Sequence, residues 1–370
     1  MRRCISLIVI VFVSFMSDLV YPSTFPETYS SETLFHIPWG EEQGGFEIRV
    51  PTQTDTGFIP PIKGPNQFEV DVQGNIFIGS NAQTSAEVRK YSSDGTLLCR
   101  IQGAPRYDYS RPLEERKFAG IESMCCDNQG DIYIAEFLEY HEDKIAQYGS
   151  DGRFIGFVAT GFDYPGALKR SPNGGISFSG RWRNNPQGVS FSYPCVYRGG
   201  VARLATDAGA PKGPKGRVYA GFYSEHDTVG TDRSTTPPRK IRRGSMSEII
   251  LARYVLKPIE RYWPKERDRE IRIPYPHKLS GNMLHAADAT GRLYVEVYIK
   301  DEAVPVGQKS RLLKVDPVAE NIIAEIILIP GENTRDRIAY PPVVIPETGD
   351  VYEFPDLPDG LYVIKHTLVK

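Results

Sequence analysis

The chain is short of the marks of the common catalytic and nucleic-acid-binding classes. It has no Gly-x-Ser-x-Gly elbow, no His-Glu-x-x-His, no phosphate-cradling glycine loop and no Cys/His spacing for structural zinc. Its six histidines (His36, His141, His226, His277, His285, His366) are scattered, so spacing alone ties none of them to a nucleophile. With 44 Lys+Arg against 46 Asp+Glu, the net charge of −2 gives nucleic acid or an anionic membrane no global attraction. No sustained amphipathic helical pattern occurs. The longest apolar run, Ile5 to Met16, falls short of the ~20 residues that a membrane span needs.

Behind the basic Met1 to Arg3, that run has the shape of a secretory leader. Residues 1–23 are therefore expected to be a signal peptide, cut somewhere in Ser17 to Thr24, or an anchor if uncut. Residues 25–370 are then expected to form one exported domain, periplasmic or extracellular, with any membrane link running only through the N-terminal segment. Cysteine is also scarce. Cys4 stands ahead of the apolar run, too early to be a lipidated cysteine. Cys99, Cys125, Cys126 and Cys195 remain, an even number that permits one or two disulfides in an oxidising compartment. A bridge between the adjacent Cys125 and Cys126 would strain the backbone. Free buried thiols acting as small hydrophobes are the other reading.

What the chain does have is turns, aromatics and a repeat. Its 34 glycines and 29 prolines suit a chain that turns every ~8–12 residues, and its 21 tyrosines and 17 phenylalanines suit packed strands. From Asn66 to Ile101 three strands and a return are expected: a short one ending at Phe68 and Val70, a turn at Asp71 to Asn75, then Ile76 to Gly79. Glu87 to Tyr91 follows, and the turn Ser92 to Gly95 leads into Thr96 to Ile101. The stretch recurs from Ile121 to Val158, where Gly130 matches Gly74 and Ser150 to Gly152 matches Ser93 to Gly95. Fainter copies stand at Asn173 to Gly180, Lys215 to Phe222, Thr290 to Val297 and Thr348 to Phe354. Asp71, Asp127 and Asp288 each precede a turn glycine by three residues, and Asp207 is a candidate for the same role ahead of an insertion. Units of three to four strands that cannot bury both faces alone should stack radially, and six of them give an all-β, six-bladed propeller of four-stranded antiparallel blades.

The pattern F-x-V-D-x-x-G-N-I-F-I followed by V-R-K-Y-x-x-D-G-T-L-L resembles the NHL-type repeat of six-bladed β-propellers, of the secreted, bacterial type. The resemblance implies the fold; propellers of this kind host enzymes, peptide or carbohydrate binders and scaffolds alike. The strand in Thr33 to Trp39 is expected to complete the last blade, which would otherwise hold only two strands after Pro342. Blade limits are expected at 64–105, 118–160, 163–200, 201–277, 280–330 and 338–370.

Three constellations are candidate sites. Eight or nine residues before their turn glycines, Asn66, Glu122 and Asn282 would converge on the channel mouth. One carboxylate and two amides there suit Ca²⁺ or another divalent cation. That set is similar to the metal site of gluconolactonase and senescence-marker propellers, in which the metal polarises a lactone carbonyl. A polar ring bonding channel water is the competing reading. The loop Glu136 to Lys144, with Glu136, Glu139, His141, Glu142 and Asp143, is either a ligand set or a solvated charge run. Trp182 between Arg181 and Arg183 could form a stacking shelf for sugar or peptide. A further loop bears Arg233, Arg239, Lys240, Arg242 and Arg243, suited to an acidic partner or to solvent. The favoured function is a binding or scaffold module that takes a peptide, glycan or protein, with no nucleic-acid partner. The alternative is a metal-dependent, lactonase-like hydrolase or lyase.

Overall fold

Three hairpin turns are built alike, and they show why the repeat needs its Asp and Gly. Asp71 Oδ1 accepts the backbone N–H groups of Gln73 (3.0 Å) and Asn75 (2.8 Å), while Gly74 N–H closes the turn on the Asp71 carbonyl. Asp127 does the same with Gln129 and Asp131, and Asp288 with Thr290 and Arg292. Gly74, Gly130 and Gly291 all sit at φ of 80–83°, the left-handed conformation that closes a three-residue hairpin. The carboxylate thus supplies acceptors that the tight loop lacks. The three aspartates are buried at 1–7% exposure, so their recurrence is explained by the turn and not by ligand binding.

The computed structural model describes residues 25–40, 44–46, 64–81, 86–103, 118, 120–135, 145–158, 162–170, 176–182, 195–198, 201–204, 212–213, 216–217, 219–224, 230–232, 239–241, 246–256, 265–330 and 341–369. The expected leader, the loop with His141, and Arg183, Asp207, Arg233, Arg242 and Arg243 lie outside them. The chain is all-β: among the described residues helix is confined to one 3-10 turn at Val306–Gln308. Strand β1 (Thr28–Pro38) opens it. The first sheet is β2 (Pro65–Val70), β3 (Ile76–Ser80), β4 (Glu87–Tyr91) and β5 (Leu97–Gln102), an antiparallel meander in chain order. The second repeats that order with β6 (Ser123–Cys126), β7 (Ile132–Ala135), β8 (Ile145–Tyr148) and β9 (Phe154–Val158). Both follow the turns and strands expected from sequence.

The third sheet is β10 (Phe162–Arg170), β11 (Ile176–Trp182), β12 (Cys195–Arg198) and β13 (Val201–Leu204). Its limit corrects the expected one at residue 200, because β13 pairs with β12 from Leu204↔Cys195 to Val201↔Arg198. Two short ribbons follow within the insertions: β14 (Lys212–Gly213) with β15 (Gly216–Arg217), and β17 (Gly230–Asp232) with β18 (Arg239–Ile241).

The expected division at 277–280 is also corrected. Strands β16 (Tyr219–Ser224), β19 (Met246–Leu256), β20 (Lys265–Ala287), β21 (Leu293–Ile299), β22 (Ser310–Asp316) and β23 (Asn321–Ile327) form one six-stranded sheet. The 23-residue β20 pairs β19 with its first part and β21 with its last, and Leu279 faces Met246 on one side and Ile299 on the other. Ile271, Ile273, Tyr275 and Leu279 are buried while the residues between them are largely exposed, so alternation runs straight through the expected boundary.

The last sheet has β24 (Val343–Val344), β25 (Val351–Glu353) and β27 (Gly360–Val369), with β26 (Asp356–Leu357) paired to β27. Here β1 joins: the N-terminal strand was expected in this sheet over Thr33 to Trp39, and it runs antiparallel to β27 from Thr28↔Val369 to Pro38↔Gly360, starting five residues earlier. The N-terminal strand completes the C-terminal sheet.

Apolar faces join successive sheets. Tyr294, Leu312, Ile326 and Leu328 of the six-stranded sheet pack on Val344 and Val351 of the last sheet. Tyr352, Phe354 and Leu361 of the last sheet pack with Val70, Ile76 and Ile78 of the first. Phe77, Val88 and Ile101 of the first pack with Met124, Ile132 and Ile134 of the second. Each such side chain contributes ~1.5–3 kcal/mol when fully buried, which no isolated sheet of this size could gain. Second-strand aromatics lock the same joints: Tyr294 Oη lies beside Gly349, and Tyr352 Oη beside Gly74.

Candidate functional site

The leading strands of neighbouring sheets lie against one another in the series β20, β24, β2, β6, β10. Their side chains meet at the middle of this series. Glu69 stands in β2 between Phe68 and Val70, and the pairing sets it opposite Phe77 of β3. Its Oε1 accepts the Val70 N–H at 3.2 Å, and the Cys125 thiol of β6, which donates to the Cys126 carbonyl at 3.6 Å, lies beside the same carboxyl. Arg170, the last residue of β10, reaches across to the Val70 carbonyl (3.2 Å, Nη1) and to Glu347 Oε2 (3.4 Å, Nη2). Four sequence-distant segments thus put a carboxyl, a thiol and a guanidinium together.

The electrostatics of this cluster are unusual. Burial pushes the Glu69 carboxyl up to about 7, against the opposing pull of the Arg170 cation and the Val70 N–H. Burial also holds the Cys125 and Cys126 thiols well above their ordinary value, so both are protonated, unreactive sulfurs. Cys99, Cys125 and Cys126 are free thiols, which resolves the open disulfide question for these three. The Arg170 side chain is only 4% exposed, yet its Nε has no hydrogen-bond partner among the described residues and both Nη contacts are long. Glu347, its ion-pair partner, is 31% exposed and marks the side on which the cluster meets solvent. A buried guanidinium with unused donors beside a carboxyl that titrates near neutrality can receive an oxygen-bearing ligand and exchange a proton with it.

The residues singled out from sequence fall elsewhere. Asn66 is exposed at the start of β2, and Glu122 is exposed just before β6. They adjoin: Asn81 Nδ2 donates to Asn66 Oδ1 (3.4 Å) and to the Ile121 carbonyl (2.9 Å), and Gln67 Nε2 donates to the Glu122 carbonyl (3.0 Å). Asn282, by contrast, is buried at 2% exposure in β20 opposite Val297. Among the described residues no group of three or more His, Cys, Asp or Glu is placed to hold a metal ion. Arg181 and Trp182 end strand β11, opposite Asp163 and Phe162.

Sequence reading missed Glu69 and Arg170 because it looked at strand starts. The cluster lies deeper, five residues before the turn glycines at Glu69 and Cys125. A charged residue between two core residues, Phe68-Glu69-Val70, was the available signal.

No protein-family model matches the chain, and no curated protein matches it. Among solved structures it is similar to a protein provisionally described as a gluconolactonase, at 11% identity and TM-score 0.38 over 96% of each chain. It is similar to a protein of unknown function from Bacteroides caccae, at 11% identity and TM-score 0.34, covering 81% of this chain and 93% of that one. It is also similar to a DUF4221 family member from Bacteroides vulgatus, at 7% identity and TM-score 0.41, covering 94% of this chain and 99% of that one.

Proposed function

We propose that the chain is an exported six-bladed β-propeller that serves as a binding module. The series of packed sheets, the completion of the last by β1 and the shared turn design support the radial arrangement. In this reading the six-stranded sheet supplies two blades joined through β20, and the cluster of Glu69 and Arg170 lies on the axis. The ligand is a peptide, glycan or protein group that brings a carboxylate or other anionic oxygen to Arg170. One observation carries this: a guanidinium taken out of water with an unpartnered Nε, a state that costs stability unless a ligand completes it.

The alternative is a metal-dependent, lactonase-like hydrolase or lyase with Ca²⁺ or a similar ion on Asn66, Glu122 and Asn282, of which Asn66 and Glu122 are exposed and Asn282 is buried.

The test is thermal melting of residues 25–370 with a panel of sugar acids, short acidic peptides and inorganic phosphate, in parallel with Arg170→Met. A ligand at 100 times its Kd adds ~2.7 kcal/mol, a clear rise in Tm. We expect one anionic class to raise the wild-type Tm and to leave the variant unmoved. If no anion shifts the wild type, or if the shift survives in Arg170→Met, the reading fails.

A further inference from the structure

A second buried polar chain lies away from this cluster, where β1 joins the last sheet. Ser31 of β1 pairs directly with His366 of β27, and His366 pairs on its other side with Val351 of β25. Residues two apart on a strand share a face, so Glu353 stands on the same face as Ser31 and His366. The contacts follow. Ser31 Oγ lies 2.7 Å from His366 Nδ1, and His366 Nε2 lies 3.1 Å from Glu353 Oε2. The other Glu353 oxygen accepts the Ile329 N–H. His366 and Glu353 are 3% and 4% exposed, whereas Ser31 is open to solvent.

Proton placement follows from the acceptors. Burial pushes the Glu353 carboxyl up, while the His366 ring and the Ile329 N–H favour its charged form; ionised, it can only accept, so the imidazole carries its hydrogen on Nε2 and presents the Nδ1 lone pair to Ser31. Ser31 O–H therefore donates to His366. The nearby Glu296 of β21 opposes that charge, but it is itself engaged by His285 (2.7 Å) and by Ser310 Oγ (3.0 Å). A structural pin is a poor account of the Ser31 end. Strand β1 is already held by ten register pairs, and an exposed hydroxyl adds little to them because water competes for it.

We propose that Ser31, His366 and Glu353 form a hydrolytic site for small acyl esters, with Ser31 as nucleophile, His366 as general base and Glu353 as the group that orients it. Ser31 Oγ bonds to the acyl carbon as its proton passes to His366 Nδ1. The ester C–O bond breaks, and His366 returns that proton to the leaving alkoxide, which departs as an alcohol. Water then attacks the acyl-serine, giving its proton to His366, and the acid leaves as Ser31 recovers its hydrogen. Glu353 stays ionised and steadies the imidazolium. Because β1 is the edge strand, the backbone N–H groups on its open side are the donors available to the oxyanion. Ser31 stands exposed at this edge, so an ester reaches its Oγ from solvent.

The experiment uses the 25–370 chain with a fluorophosphonate probe and, separately, p-nitrophenyl acetate, followed by peptide mass spectrometry. The expected result is an adduct on Ser31 and not on Ser30. The Ser31→Ala variant should melt like wild type and lose the adduct. His366→Gln, confirmed folded by near-UV circular dichroism, should label ~10²-fold more slowly or worse, the usual contribution of a general base. Should His366→Gln fail to fold, the wild-type labelling rate must still rise with pH through a single ionisation. No adduct on Ser31, equal labelling of Ser30, a flat pH profile, or undiminished labelling in folded His366→Gln would each overturn the proposal. None of these outcomes depends on Arg170.

Discussion

The hydroxyl of Tyr294 lies 3.0 Å from the point where a side chain on Gly349 would begin, and it donates to that glycine's own carbonyl at 3.3 Å. Tyr29 of β1 donates to the same carbonyl at 3.2 Å. A turn glycine of one sheet is thus the seat for an aromatic of the sheet before it.

That relationship separates two turn glycines. Gly349 and Gly291 both hold positive φ, 74° and 82°, but nothing lies within 4 Å of a Cβ on Gly291. Gly291→Ala should cost only the left-handed strain, ~1 kcal/mol. Gly349→Ala must also displace the Tyr294 hydroxyl from a buried hydrogen bond and should cost roughly 2–3 kcal/mol in all. Urea unfolding of the two variants gives the comparison; equal losses would remove the seat from the account of the sheet joint.

The Glu69 carboxyl makes stability depend on pH in an unusual direction. Its folded-state value of about 7 lies above the ordinary carboxyl value of 4.5, because burial disfavours the charge. The folded state therefore binds the proton more tightly. The contribution is full below pH ~4.5 and is lost as pH rises towards 7, with ~3 kcal/mol as its upper bound. Glu69→Gln should leave stability unchanged at pH 4.5 and raise it at pH 8. A variant that is no more stable than wild type at pH 8 would show that Glu69 is solvated.

Asp71 does two jobs that a mutation can part. Oδ1 holds two turn N–H groups, while Oδ2 accepts from Asn75 Nδ2 and lies 3.8 Å from the Lys90 ammonium, which is 7% exposed. Lys90 also donates to the Ser150 carbonyl of the second sheet at 3.0 Å, so the pair ties two sheets. Asp71→Ala strips the turn and leaves a buried cation uncompensated, for an expected loss of ~3–5 kcal/mol. Asp71→Asn keeps an acceptor for the turn and should lose about half as much. Chemical denaturation of both variants reads the difference.

These cases show what the chain discloses before it is folded. Turn positions were legible because the backbone demands particular residues there: Gly74, Gly130 and Gly291 for φ, and the aspartates for their acceptors. The strands of the first two sheets were legible because each hairpin is local. Two boundaries were not. Val201–Leu204 joins the third sheet, and β20 runs unbroken through residue 279, because each depends on which partner strand is near and not on local composition. The site was least legible. Glu69, Cys125 and Arg170 meet only because three first strands converge, whereas Asn66 and Glu122 stand on an exposed margin.

The N-terminal strand offers the most severe test of the closure. Its own burial is slight, since Ile37 is the one buried side chain among its residues. Its contribution comes from what it covers and ties. It pairs along the length of β27 and places Glu27 Oε2 2.9 Å from Lys314, while Trp39 just beyond it donates to the Leu357 carbonyl at 2.8 Å. Glu27 N–H also reaches the Ile323 carbonyl of β23, so the segment bridges the last sheet and the six-stranded one. Removing residues 25–40 opens the β27 edge and takes the nearer of two carboxylates from Lys314, which is 8% exposed and keeps only Asp288 at 3.8 Å. Domains of ordinary stability have only ~5–15 kcal/mol to lose, so the truncated chain should no longer unfold in one cooperative step. Near- and far-UV circular dichroism should then melt at different temperatures. A synthetic peptide of residues 25–40 added in trans should bring them back together by adding a strand to the open edge. Coincident, wild-type-like transitions in the truncated chain would mean that the last sheet closes without β1.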